Sequence, residues 1–280
     1  MFRNILVHIP SERPVRSVID VAVGLTVGRQ GHLDAVAIGY ESMGSVGMAA
    51  EGGGAAVAAV MGYEQDRALE RANAAIAVFE AEAKLARIAY GTRALAAIPA
   101  EAGEAFGALS RLYDLTIVSQ PDSSFSTYDN LIPQAVLFSS GGPMLMVPYI
   151  HKGSLDAHHV GIAWDGSRLA ARALRDALPF LTAAHTVSVI AVNEGRSDAG
   201  ERSSDEIVSH LARRGIKARV ERLTAAGSSV QGTILSIAAD SNIGLLVMGG
   251  YGHSRLQERI LGGVTRAMFE SMTVPVLMSH

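Results

Sequence analysis

The residues with the clearest capacity for chemistry are glycines near the end of the chain, in the stretch Gly244 to Thr265. An apolar run from Gly244 to Met248 predicts a buried strand, and the glycines after it are Gly249, Gly252, Gly262 and Gly263. Because glycine has no Cβ, its backbone can take positive φ and bring amide groups close to an anion. Val264 to Ser271 predicts a helix whose N-terminal amides would face the same anion. This order favours a phosphate-binding loop, and an ordinary strand-to-helix turn is the alternative.

The spacing of these glycines resembles a known family. Gly249-x-x-Gly252, then nine residues and Gly262, is similar to the nucleotide loop of the universal stress protein family. The segments Val160-Gly-Ile-Ala-Trp-Asp-Gly-Ser and Thr273-Val-Pro-Val-Leu-Met resemble the first and last strands of that family, so the resemblance covers residues 159 to 280. Where ATP-binding members have Ser or Thr after the third glycine, this chain has Gly263, although Thr265 does match.

The resemblance implies a Rossmann-like fold, related to the adenine nucleotide alpha hydrolases, that holds ATP with Mg²⁺. The residues it places at adenine and ribose are Ala163, Trp164, Asp165 and Val192, and those at ribose and phosphates are Met248, Gly249, Gly252, Gly262, Gly263, Val264 and Thr265. Asp165 would contact Mg²⁺ or a ribose hydroxyl, and a turn or helix-capping carboxylate is its equal alternative. Losing the hydroxyl at Gly263 costs about 1.5–3 kcal/mol, so we expect weak nucleotide binding or none.

The rest of the chain predicts an α/β fold. Apolar runs alternate with segments of helical spacing, which indicates open, mostly parallel sheets with helices on both faces. The pattern restarts after the polar stretch 149–158, and we therefore predict two repeated domains, residues 1–150 and 157–280. Their apolar closing strands could pair within the chain to form a pseudo-dimer, and further association of whole chains into a homodimer is left open.

Two regions carry predictions of local structure that matter below. Ser42 to Tyr63 is rich in glycine and alanine and predicts a mobile loop, followed by a long helix from Glu64 to Ala89. Phe106 to Leu112 and Ile207 to Arg214 predict shorter helices, and Ser167 to Leu181 predicts one continuous helix.

Comparison of the two repeats indicates which of them could bind a nucleotide. Pro10 stands where the second repeat has Asp165, and Ser119 and Asp122 stand where it has Gly249 and Gly252. A carboxylate in a phosphate site repels the ligand, and the loss of glycine restricts the backbone. We expect the first repeat to be degenerate, acting as a structural partner or holding a different ligand.

Composition excludes several classes of function. The chain has 280 residues, a formal net charge of −3 and no cysteine, which rules out disulfides, thiol catalysis and cysteine-ligated metals. No global positive charge attracts nucleic acid or anionic lipid, and the Ser42 to Tyr63 stretch makes a poor membrane span. We expect a cytoplasmic protein with neither nucleic acid nor a membrane as its partner.

Catalytic patterns are weak. No glycine precedes a lysine in the P-loop pattern, and adjacent His158 and His159 would point to opposite faces of a strand, so we predict no metal site and no catalytic residues. The expected function is stress-related sensing or binding, with at most slow ATP hydrolysis. The alternatives are a scaffold that binds no nucleotide and acts through protein contacts, which Gly263 favours, and a hydrolase or ligase of the related fold.

Overall fold

The computed structural model describes residues 2–27, 31–42, 53–192, 198–225, 229–250 and 263–280, and for 198–203 the backbone alone. The strands are β1 (Asn4–Ile9), β2 (His32–Tyr40), β3 (Ala89–Ala97), β4 (Leu115–Ser119), β5 (Met144–Val147), β6 (His159–Ala163), β7 (Thr186–Val192), β8 (Ala218–Leu223), β9 (Leu245–Gly249) and β10 (Val276–Ser279). The helices are α1 (Arg16–Thr26), α2 (Gly54–Ala86), α3 (Pro99–Ser110), α4 (Ile132–Ser139), α5 (Arg168–Asp176), α6 (Leu178–Leu181), α7 (Asp198–Ala212), α8 (Val230–Asp240) and α9 (Gly263–Ser271), with a 3₁₀ turn at Tyr128–Leu131.

These strands form one sheet in the order β3-β2-β1-β4-β5-β10-β9-β6-β7-β8. Neighbouring strands are parallel throughout, except that β5 and β10 are antiparallel. The order β3-β2-β1-β4-β5 in the first half recurs as β8-β7-β6-β9-β10 in the second. The predicted tandem of Rossmann-like, mostly parallel sheets is therefore confirmed.

The two halves also agree residue by residue. Ile5 pairs with Leu115 in the first half, and Val160 pairs with Leu245 in the second. The Gln120 N–H donates to the Val147 carbonyl at 2.7 Å, and the Gly250 N–H donates to the Ser279 carbonyl at 2.9 Å. Gln120 and Gly250 are thus structurally equivalent, as the alignment of the repeats predicts.

The halves join through their closing strands. Met144, Leu145 and Met146 of β5 pair with Met278, Leu277 and Val276 of β10, and all six residues are fully buried. Apolar side chains alternate between the two faces of the sheet, because successive residues of a strand point in opposite directions. One core contacts α1, α2, α5, α6 and α7, and the other contacts α3, α4, α8 and α9. Both cores extend across the junction.

Several helix boundaries differ from prediction. Helix α2 begins at Gly54, so the predicted loop is wrong for residues 54–63, because the helix propensity of the alanines there outweighs the glycines. Residues 43–52 lie outside the described ranges. Helix α7 begins at Asp198 instead of Ile207, in a polar stretch without helical apolar spacing. Helix α3 begins at Pro99, which suits the first turn of a helix, and the predicted helix to Leu181 divides into α5 and α6 just before Pro179.

Candidate functional site

The predicted adenine and ribose residues lie at the carboxyl ends of the central strands of the second half. Ala163 of β6 pairs with Met248 of β9, and Val192 ends the neighbouring strand β7. Ala163, Val192 and Val264 are partly buried against the same core on one face of the sheet, and Met248 belongs to that core. The structure therefore brings an apolar, partly exposed surface together where open α/β sheets bind ligands.

Trp164 and Asp165 lie apart from that surface. The Trp164 N–H donates to the Ile190 carbonyl at 2.9 Å, and its side chain packs against the opposite core. Asp165 is exposed, and its Oδ1 accepts a hydrogen bond from the Ser167 N–H at 2.9 Å. Ser167 in turn caps α5, because its Oγ accepts from the Ala170 N–H at 3.1 Å. The Oδ1 of Asp165 therefore has the role of a turn carboxylate, which was the alternative to contact with Mg²⁺ or ribose.

Gly249 has a packing role that the sequence did not indicate. Its φ is not among the positive values of the chain, so it does not use the positive φ that the absence of a Cβ allows. A Cβ on Gly249 would lie 2.7 Å from both the Ala170 N and the Leu169 carbonyl carbon, at the start of α5. The next amide, that of Gly250, already donates to Ser279. Gly249 therefore lets α5 approach the strand closely, and the Gly250 amide is not free for an anion.

The start of α9 is the part of the predicted phosphate site that the structure describes most fully. Gly263 is exposed and begins the helix, Val264 is partly buried, and Thr265 is buried. Gly252 and Gly262 lie outside the described ranges. The N-terminal amides of α9 carry the partial positive charge that favours a bound phosphate.

The equivalent crevice of the first half is occupied by the chain's own side chains. The Asp129 carboxylate is fully buried, and its Oδ2 accepts hydrogen bonds from the N–H groups of Ser11 and Glu12, each at 3.1 Å. Its Oδ1 accepts from the Tyr40 hydroxyl at 2.9 Å. Consecutive backbone amides of this kind form an anion-binding concavity. An internal carboxylate therefore takes the place that a ligand anion would need.

The charge of Asp129 is balanced inside the same cluster. Burial raises the pKa of Asp129, while hydrogen bonds from Glu12, Tyr40 and Ser11 and the charge of Arg13 act in the opposite direction. His8 lies with its Nε2 3.6 Å from Asp129 Oδ1, but burial and the nearby Arg13 lower the pKa of His8 to about 3. His8 is therefore neutral at pH 7, and Arg13 supplies the positive charge of the cluster.

Arg13 fills the space between the ends of β1 and β4. Its guanidinium donates to the Gln120 carbonyl at 2.6 Å and to the Ser119 carbonyl at 3.2 Å, and only 8% of the residue is exposed. Asp122 closes a local turn, because its Oδ1 accepts hydrogen bonds from the backbone N–H and the hydroxyl of Ser124. Sequence reasoning missed Arg13 and Asp129 as the occupants of this crevice. The available signal was His8 inside a buried apolar strand, with Arg13 shortly after the end of that strand.

A polar cleft of about 500 Å³ lies beside this cluster, beyond the end of β2, and was also missed. Its lining residues are Glu12, Tyr40, Glu41, Ser42, Glu64, Arg67, Arg71, Pro99 and Tyr128. Arg71 is held by its own neighbours, because it donates to the Tyr40 carbonyl at 2.5 Å and its Nε lies 3.9 Å from Glu12 Oε1. Three carboxylates against two guanidinium groups make this cleft unfavourable for a triphosphate.

Other candidate sites can be placed within the described ranges. No group of three or more His, Asp or Glu side chains there could hold a metal ion. The His158 ring stacks on that of His185 with centroids 4.5 Å apart, whereas His159 contacts the Ser241 carbonyl and the Ser188 hydroxyl, each at 2.9 Å. None of the described helices has the length and apolarity to span a bilayer.

Comparison with known proteins decides the family of the second half. Residues 157–280 match the model of the universal stress protein family. The second half of the chain is a universal stress protein domain. The universal stress protein domain thus contains β6 to β10 and every residue proposed for the nucleotide site.

Solved structures extend the fold to the whole chain. A universal stress protein from Archaeoglobus fulgidus DSM 4304 is 17% identical and covers 98% of this chain and 97% of its own, with a TM-score of 0.69. A functionally unknown protein from Pseudomonas aeruginosa PAO1 is 15% identical, covers 99% and 92%, and has a TM-score of 0.58. At these identities the likeness shows a shared fold over both halves. No curated protein matches the sequence.

Proposed function

We propose that this protein is a stress-response sensing or binding protein that holds an adenine nucleotide in its universal stress protein domain. The partly exposed surface of Ala163, Val192 and Val264 would contact the adenine and ribose. The N-terminal end of α9, with Gly263 and Thr265, would face the phosphates. Asp165 lies apart from the apolar surface, and only its Oδ2 would be available to Mg²⁺ or a ribose hydroxyl, because Oδ1 accepts from the Ser167 N–H.

The observation that carries this proposal is the contrast between two equivalent strand ends. In the first half, Ser119 ends β4 and Gln120 follows it, both with buried side chains, and Arg13 donates to both of their carbonyls. In the second half the equivalent positions are Gly249, which packs against α5, and Gly250. The partly exposed Ala163 and Val192 lie at the ends of the strands there, and Val264 packs against the same core. We therefore expect one nucleotide for each chain, and we expect it in the second half.

The test is isothermal titration of the whole protein with ATP and Mg²⁺. Gly252→Asp places in the second half the residue that the first half has at Asp122, and its charge should weaken binding at least ten-fold. Gly54→Asp is the matched control, because the position lies in the first half and a Cβ there would have no heavy atom within 4 Å in the described part of the chain. The control should bind as the unmodified protein does.

Three outcomes would contradict the proposal. Absence of heat at millimolar ATP would favour the scaffold that acts through protein contacts, a function supported by the engagement of the Gly250 amide with Ser279. Two nucleotides per chain, or unchanged affinity in the Gly252→Asp variant, would show that the site lies elsewhere. If no heat is observed, the ligand-free protein should be used to search for partner proteins.

A further inference from the structure

Gln120 is a residue of the first half whose side chain binds a helix of the second half. Its Nε2 donates to the carbonyl of Phe269 in α9 at 3.1 Å, across 149 positions of sequence. Only 1% of Gln120 is exposed. The side-chain Oε1 has no hydrogen-bond partner among the described atoms, so in that part of the chain the bond to Phe269 is the side chain's polar contact.

The Phe269 carbonyl is one that needs a partner. Helix α9 ends at Ser271, and the last four carbonyls of an α-helix have no partner inside the helix. The end of the helix also carries partial negative charge, which favours a donor such as the Gln120 amide. Gln120 therefore caps the end of α9 opposite to the end that faces the proposed phosphates.

The backbone of Gln120 is fixed on both sides. Its N–H donates to the Val147 carbonyl in β5 at 2.7 Å, and its carbonyl accepts from Arg13 at 2.6 Å. Arg13 belongs to the same buried cluster as Asp129, which fills the crevice of the first half. The Gln120 side chain thus reaches α9 from a backbone that is held by β5 and by the buried cluster of Arg13 and Asp129.

The contact exists in one direction only. Strand pairing makes Gln120 equivalent to Gly250 and places Leu137 of α4 where the second half has Phe269. At the equivalent contact, a Cβ on Gly250 would lie 3.0 Å from Leu137 Cδ2, which is a tight contact. At this position the second half therefore returns an apolar contact instead of a hydrogen bond, although elsewhere at the junction its Arg172 guanidinium donates to the Gly141 carbonyl.

We propose that Gln120 is a positioning residue through which the first half holds α9 in the orientation that nucleotide binding requires. The effect on nucleotide affinity rests on the function proposed above, whereas the effect on α9 does not. A helix of nine residues is about 13 Å long, so tilting its C-terminal end displaces the N-terminal amides. The degenerate half would then contribute to the site without binding a nucleotide.

The test compares Gln120→Met, which keeps the length of the side chain and removes the donor, with Gln134→Met on the exposed side of α4. Hydrogen–deuterium exchange of residues 263–271 is measured in the ligand-free protein, and ATP affinity is measured by titration. Loss of about 1 kcal/mol should speed exchange in α9 and raise the Kd for ATP about five-fold, with exchange in β1 unchanged. Gln134→Met should change neither quantity.

Each result bears on one of the two claims. Unchanged exchange in α9 would overturn the positioning role, whatever ATP does. Faster exchange with an unchanged Kd would restrict Gln120 to stability and also overturn that role. If the unmodified protein binds no ATP but exchange in α9 still responds, the proposed function fails while the contact between the halves stands. Gln120→Asn, too short to reach Phe269, should give the same changes and replaces Gln120→Met if that variant does not fold.

Discussion

Restoring the missing hydroxyl at the start of α9 is the most direct way to test how this site binds phosphate. Gly263 is exposed, its φ is not in the left-handed range, and a Cβ there would have no heavy atom of the described residues within 4 Å. Gly263→Ser should therefore be accommodated without strain. A hydrogen bond from serine to a charged phosphate contributes about 1.5–3 kcal/mol, which corresponds to a decrease in Kd of about ten-fold to over a hundred-fold.

Isothermal titration with ATP and Mg²⁺ measures this gain. Gly263→Ala is the control, because alanine stabilises a helix more than serine or glycine and has no hydroxyl. If alanine tightens binding as much as serine, the gain comes from ordering α9. If serine changes nothing, the phosphates do not approach the first turn of α9, and the reasoning that places them there is wrong.

Two further predictions concern stability, each measured by urea unfolding. Burial lowers the pKa of His8 from its usual 6.5 to about 3. Between these pH values His8 is protonated in the unfolded chain and neutral in the folded protein. The free energy of unfolding should therefore fall by about 1.4 kcal/mol for each pH unit from pH 6.5 towards pH 3. His8→Gln should lose this component of the slope and His151→Gln, outside the core, should keep it; equal slopes would contradict the burial argument. Gly249→Ala should cost about 1–3 kcal/mol, since its Cβ would meet the backbone of Leu169 and Ala170, whereas Gly54→Ala has open space; equal midpoints would refute the packing role.

The sequence predicted the fold well because its evidence was local and periodic. Apolar runs marked the sheet strands, and the run that begins at Gly244 corresponds to β9 (Leu245–Gly249). The repeat placed Gln120 opposite Gly250, which the strand pairing confirms. The family resemblance named Ala163, Val192 and Met248, and the structure brings them to the same end of the sheet because parallel strands end together.

The missed features depend on contacts between distant segments. The prediction of a loop before Tyr63 rested on its glycines. A helix forms over residues 54–63 because the alanines there have high helix propensity. Gly249 was explained by backbone freedom, but the actual reason is the approach of α5, which no local pattern shows. Asp129 binds amides more than a hundred residues away in the sequence, so its role could not be derived from spacing.

The antiparallel contact of β5 and β10 has a consequence for assembly and divergence. Strands β5 and β10 contribute four residues each to this junction, and both cores and the Gln120 side chain add contacts between the halves. Here residues 148–158 tether them, and a short connection gives an effective concentration on the order of millimolar. The halves therefore stay together at any protein concentration, and each can accumulate substitutions that identical subunits would have to share. Arg13 at the strand ends of one half, and glycines at the equivalent positions of the other, are substitutions of this kind. Identical subunits could not differ in this way, whereas two halves of one chain can.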